Sequence, residues 1–126
     1  MYIDMLKDAI KQGKQESSKI YFCGNNKVYK IGQTTEYYVS QRIKNIRRID
    51  KDIQLYGYVE FTGSKALRDY IESTLRLYIQ GQGYTLQGND HFIKQGKKQV
   101  FKTYCLDIVT TTLNAFNIDY KVINKI

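Results

Sequence analysis

Between Ile20 and Gly32, two short β-prone runs flank the triplet Gly24-Asn25-Asn26. This block constrains the fold more than any other. Ile20 to Cys23 and Lys27 to Ile31 are rich in residues suited to a pleated surface. Gly and Asn tolerate positive φ, so the triplet predicts a tight turn. Two such runs about one turn predict an antiparallel hairpin.

The rest of the chain supplies partners for that hairpin. Tyr2, Met5, Leu6, Ala9 and Ile10 recur at helical spacing, so Tyr2 to Gln12 predicts a helix stopped by Gly13. The polar stretch Lys14 to Ser18 then leads into the core. Gly32 to Thr35 is predicted as a loop. Val39 to Ile49 predicts a helix with Val39, Ile43, Ile46 and Ile49 on one face. Ile53 to Phe61 predicts a third strand, with Ile53, Leu55, Gly57 and Val59 alternating against polar or aromatic positions. Ser64 would cap a helix to about Gln80 that carries Leu67, Ile71, Leu75 and Tyr78 inward. Gly81, Gly83 and Gly88 break it. A short extended piece at His91 to Ile93, a helix over Val100 to Phe116 and a last strand or arm over Ile118 to Ile126 follow. The expected class is α/β (α+β): a small, mainly antiparallel three-stranded sheet flanked by helices.

The 126 residues fit one domain. Hydrophobic residues make up 42%, enough for a packed core. Lys and Arg outnumber Asp and Glu by 20 to 12, a net charge of +8 that favours polyanionic partners, nucleic acid first among them. Lys44, Arg47, Arg48 and Lys51 form the main basic cluster, and Lys94, Lys97 and Lys98 a second. Two distant cysteines, Cys23 and Cys105, and one histidine, His91, are too few for a zinc site. No apolar run approaches the ~20 residues that span a bilayer, and the N-terminus lacks the layout of a signal peptide. No membrane association and a cytoplasmic location are expected, or the host cytoplasm or nucleus for a viral chain. The Lys-, Ile-, Asn- and Tyr-rich usage suits an A/T-rich source such as a virus, phage or bacterium.

Four residues stand out by their order. Tyr21 lies in the first hairpin strand, and Tyr29-Lys30-Ile31-Gly32 ends the second. Arg42 lies on the next helix and Glu72 in the middle of the helix after the third strand. This ordered set resembles the GIY-YIG nuclease family. Lys19-Ile20-Tyr21 stands at the first motif, with lysine for glycine. Lys30-Ile31-Gly32 stands at the second, with lysine for tyrosine, as in the phage and viral branch in which a threonine follows; Thr34 agrees. Gln41-Arg42-Ile43-Lys44 matches the helix arginine and Glu72 the metal-binding glutamate. Gly88-Asn89-Asp90-His91-Phe92 resembles the closing motif, with Asp90 where glutamate is usual. The similarity spans about residues 19 to 93, within a GIY-YIG-like domain extended by an N-terminal helix and a C-terminal helix and strand.

The resemblance implies an endonuclease that hydrolyses DNA phosphodiester bonds with Mg²⁺ or Mn²⁺ held by Glu72. Arg42 would bind the scissile phosphate, and Tyr21 would orient or deprotonate the attacking water. Lys30 would lower the proton affinity of Tyr21, while Tyr29, Asn89 and His91 would be auxiliary. A tyrosine base needs that help, since its ordinary pKa is near 10. Lys44, Arg47, Arg48 and Lys51 would contact backbone phosphates without reading sequence.

Plainer readings stand beside this one. Tyr21 and Tyr29 also suit ordinary strand positions. Glu72 has Arg68 four residues before it and Arg76 four after, the spacing of exposed helix ion pairs. Two other functions stay open: a non-catalytic nucleic-acid-binding module on the same fold, and a viral or phage protein that contacts a host protein. DNA is the expected partner, RNA an alternative one, and a homodimer a further option.

Overall fold

The computed structural model describes residues 2–25, 28–48, 51–83, 85–87, 92–94 and 98–124. The elements run α1 (Tyr2–Gln12), β1 (Glu16–Gly24), β2 (Val28–Thr34), α2 (Val39–Ile46), β3 (Gln54–Gly63) and α3 (Lys65–Gly81). Then come β4 (Thr85–Gln87), β5 (Phe92–Lys94), α4 (Lys98–Ala115) and β6 (Tyr120–Asn124). The class is α+β, as expected. The sheet is larger than the expected three strands: six strands lie in the order β4-β5-β2-β1-β3-β6, with every neighbour antiparallel.

The hairpin is its centre. β1 and β2 pair from Lys19–Thr34 to Gly24–Tyr29. The turn is closed by the Asn25 N–H donating to Val28 O at 3.1 Å and the Val28 N–H donating to Asn25 Oδ1 at 2.9 Å. Both strands outrun their sequence limits. β1 begins at Glu16, inside the stretch expected as a polar lead-in, and β2 continues to Thr34, through the expected loop. The physical reason is that β1 is central and pairs with β3 from Glu16 onward. Ser18 and Lys19 are therefore buried with partners. Lys19 is 2% exposed, with Nζ 3.2 Å from Ser17 Oγ and 3.9 Å from Glu60 Oε1.

Strand alternation sends β1 to two cores. Ile20 and Phe22, with Tyr29 and Ile31 of β2, pack against Leu67, Ile71, Leu75 and Ile79 of α3 and Cys105, Val109 and Leu113 of α4. Tyr21 and Cys23 face the other way, onto Val39, Ile43 and Ile46 of α2 and onto Ile53. The sheet thus separates α1, α3 and α4 from α2.

The simple alternation expected for β3 fails. Phe22 pairs with Gly57 but Cys23 pairs with Leu55, so Tyr56 is the extra residue of a β-bulge. Tyr56 joins Val59 in the larger core, while Leu55 turns to the α2 side with Ile53.

The helices follow their caps and stripes. Ser64 Oγ accepts from Leu67 N–H at 3.3 Å, the expected start of α3. The inward stripe closes on Ile79, 1% exposed, and Tyr78 is turned outward at 39%. α2 stops at Ile46, short of Ile49, because the turn after it is tied down: Arg47 Nε donates to Ile53 O at 2.7 Å. α4 ends in a Schellman-type cap on Asn117 (φ 57°), where Ile118 N–H donates to Leu113 O at 2.9 Å.

Candidate functional site

Tyr21 and Gly32 are cross-strand partners on the α2 side of the sheet. Tyr21 is 1% exposed. A methyl carbon built on Gly32 would overlap the Tyr21 Oη and Cζ and come within 2.9 Å of Cε1. The ring lies directly over the glycine, and only the missing side chain makes room for it.

Arg42 sits one turn into α2, beside the buried stripe of Val39, Ile43 and Ile46. Its guanidinium lies near enough to the Tyr21 hydroxyl for the two groups to shift each other's titration. Burial pushes the Tyr21 phenol above its ordinary value. Arg42 opposes that rise, while Cys23 and Glu72 add to it. The same phenol stabilises the charged form of Arg42, and Glu36 helps. Tyr21 therefore feels both Arg42 and Glu72.

Glu72 lies in the opposite layer, on the α3 side of the sheet. It lies mid-α3, 9% exposed, and Oε2 accepts from Gln33 Nε2 at 2.7 Å. Gln33 follows Gly32, so strand alternation turns it toward α3. The Glu72 side chain points at the hairpin. Its other oxygen is paired with Arg76, half of the helix ion-pair arrangement expected from spacing. Arg68 departs from it and turns to β1, donating to Ser18 Oγ at 2.8 Å and Glu16 Oε1 at 3.0 Å.

Gln33 is the hub of this side. Its Nε2 also donates to Asp69 Oδ1 at 2.8 Å, and its Oε1 accepts from Arg68 Nε at 3.0 Å. Burial disfavours the charged form of Asp69, but hydrogen bonds from Lys65 and Gln33, and the charges of Lys65 and Arg68, hold its carboxyl below the usual range. Gln33, Asp69, Glu72, Ser73 and Arg76 line an open cleft of about 280 Å³.

The remaining expected residues divide. Lys30 shares the Tyr21 side of the sheet, but its charge acts on Cys23, its cross-strand partner. Burial pushes that thiol up to about 12 against the pull of Lys30 and Arg47. The cation that acts on Tyr21 is Arg42. Tyr29 is on the opposite face, in the larger core, with its ring 6.2 Å from that of Tyr56. It is a packing residue. Asn89, Asp90 and His91 lie outside the described residues, as do the side chains of Lys94, Lys97 and Lys98. Lys44, Arg47, Arg48 and Lys51 are exposed along α2 and the turn after it.

Sequence reasoning passed over Gln33, Asp69 and Glu36. The first two carried a signal: Asp69 stands three residues before Glu72 on one helix face, and Gln33 alternates with Gly32. Glu36 carried none, though its Oε2 is buried without a hydrogen-bond partner. Among the described residues no group of three or more His, Cys, Asp or Glu is placed to share a metal. No family model, curated protein or solved structure matches the chain significantly.

Proposed function

We propose that the chain is a divalent-metal-dependent endonuclease of the GIY-YIG type, acting on DNA. The observation that supports this most is the placing of Tyr21 over Gly32 with Arg42 and Glu72 both near enough to act on its phenol. Three residues far apart in sequence, named in order by the family resemblance, lie around the same stretch of β2, Tyr21 and Arg42 on one side and Glu72 on the other. A net charge of +8 suits the polyanionic substrate.

Each residue has a chemical task in this reading. Arg42 donates to a non-bridging phosphate oxygen and stabilises the charge that builds on it. The Tyr21 phenol, which burial pushes above its ordinary value, keeps its proton and orients the attacking water by hydrogen bonding. Arg42 opposes that rise and thereby eases deprotonation of the phenol. Lys30 is a second phosphate contact on the same face. Lys44, Arg47, Arg48 and Lys51 hold the flanking backbone.

Two carboxylates support the hard cation in this reading. Glu72 Oε2 and Asp69 Oδ1 share one amide donor, Gln33 Nε2, at 2.7 and 2.8 Å, so two carboxylate oxygens converge beside an open cleft. One or two carboxylates with water and substrate oxygens are the usual Mg²⁺ environment. Glu72 would hold Mg²⁺ or Mn²⁺, with Asp69 beside it. When bound, the ion supplies charge neutralisation at phosphorus and acidifies a coordinated water.

One observation favours a second reading, a nucleic-acid-binding module without catalysis. Both Glu72 oxygens are already engaged, by Arg76 and by Gln33. Incubation of the protein with supercoiled plasmid under Mg²⁺ or Mn²⁺ separates the two. Nicking that is lost in Glu72→Gln and in Arg42→Ala supports the enzyme. Salt-sensitive binding with no nicking under either ion leaves only the module.

A further inference from the structure

Tyr37 and Tyr38 stand between β2 and α2, 82% and 67% exposed. Their rings meet edge to face, with centroids 4.6 Å apart and planes at 86°. Each ring steadies the other while most of the pair's surface stays open to solvent. Folding does not account for them, since neither belongs to either core. Capping does not either. Tyr38 is the N-cap of α2, a place that favours small polar residues, and its side chain makes no capping hydrogen bond.

Their surroundings are specific. Tyr38 precedes Arg42 by four residues, one turn of helix, and the neighbouring Glu36 acts on Arg42. The pair therefore borders the Tyr21–Arg42 site. Beyond Arg42 come the exposed Lys44, Arg47, Arg48 and Lys51. Aromatic faces followed by a line of cations match a strand with unpaired bases, whose phosphates meet cations while its bases stack on rings. An intact duplex keeps its base faces inside its own stack and offers these rings only edges and phosphates.

We propose that Tyr37 and Tyr38 form a stacking platform for an unpaired nucleobase beside the phosphate held at Arg42. The preferred substrate is then single-stranded or locally unpaired DNA. This inference rests on the nucleic-acid reading of the site, though not on cleavage.

The test is binding of the full chain to a labelled 20-nucleotide single strand and to the matching duplex, with EDTA present. A 2-aminopurine in the strand reports stacking. Wild-type protein is expected to prefer the single strand and to quench the probe. Tyr37→Ala/Tyr38→Ala is expected to weaken single-strand binding on the order of 5- to 150-fold, lose the quenching and leave duplex affinity within about twofold. Tyr37→Phe/Tyr38→Phe, which keeps the rings, is expected to keep both. Equal loss on both substrates, no loss on either, or a wild-type preference for duplex overturns the platform. Wild-type binding to neither form overturns the platform and the nucleic-acid reading together. Single-strand preference without cleavage under any metal sinks the endonuclease and supports the platform.

Discussion

Gly32→Ala is the sharpest test of how the hairpin holds its tyrosine. The added methyl would overlap Oη and Cζ of Tyr21 and crowd Cε1 at 2.9 Å. The ring cannot step aside freely, because it is 1% exposed and packed with Val39, Ile43, Ile46 and Ile53. Overpacking of this kind costs about 1–3 kcal/mol. Against it stands a gain of about 0.4–1 kcal/mol from the lower entropy of an unfolded chain without that glycine. The net loss is therefore expected near 1–2 kcal/mol. Tyr21→Val removes all three crowded atoms and keeps a strand-forming side chain. In that background only the entropic gain survives, so Gly32→Ala should be neutral or stabilising. The coupling between the two sites is then about 1–3 kcal/mol.

Urea denaturation followed by far-UV circular dichroism measures all four proteins. For a urea m-value of about 1–3 kcal/mol/M, the coupling corresponds to a midpoint difference of roughly 1 M. If Gly32→Ala costs the same with Tyr21 and with Val at that position, the ring is not why the glycine is there. Activity adds a second readout. The displaced phenol loses its place beside Arg42, so any nicking under the proposed function should fall in Gly32→Ala even below the denaturation range.

Three further outcomes follow from other parts of the structure. Arg68→Met should cost about 2–4 kcal/mol in a urea or thermal titration, because it leaves Glu16, Ser18 and Gln33 without a nearly buried donor; a change under about 0.5 kcal/mol would make the network ornamental. Stability should fall above pH 9, since the Cys23 thiol is raised from 9.0 to about 12 and keeps its proton in the fold while the unfolded chain loses it. That contribution is complete below the unfolded value and is lost as pH rises toward the folded one, so Cys23→Ala should flatten the profile between pH 9 and 12; an unchanged slope would place the titration elsewhere. If deprotonation of Tyr21 limits cleavage, the rate should climb through pH 8 to 10 without levelling, because the phenol is raised from 10.0; a plateau set near pH 7 would assign the base to another group.

The parts of the fold that were legible are those where one local rule acts alone. Gly24-Asn25 gives the hairpin its turn, Ser64 gives α3 its cap, and Val39, Ile43 and Ile46 give α2 its buried stripe. The parts that were not legible depend on distant partners. Ser18 and Lys19 look like a solvated lead-in, but β3 pairs alongside them and Gly63, Arg68, Ser17 and Glu60 satisfy their polar atoms. Tyr56 breaks the alternation of β3 through a bulge that no residue type announces.

The candidate site obeys the same division. Tyr21, Arg42 and Glu72 stand out in the sequence by order, and each belongs to a different element. What links them is Gly32 and Gln33, adjacent residues that alternation points to opposite faces of β2. Gly32 admits the Tyr21 ring from the α2 side, and Gln33 takes Glu72 and Asp69 from the α3 side. A loop at Gly32 to Thr35, as spacing alone predicts, could not do this. Only an extended strand holds two consecutive residues on opposite faces, and the pairing of Thr34 with Lys19 keeps the strand extended that far. The buried Lys19 is thus also the residue whose pairing carries β2 past Gln33.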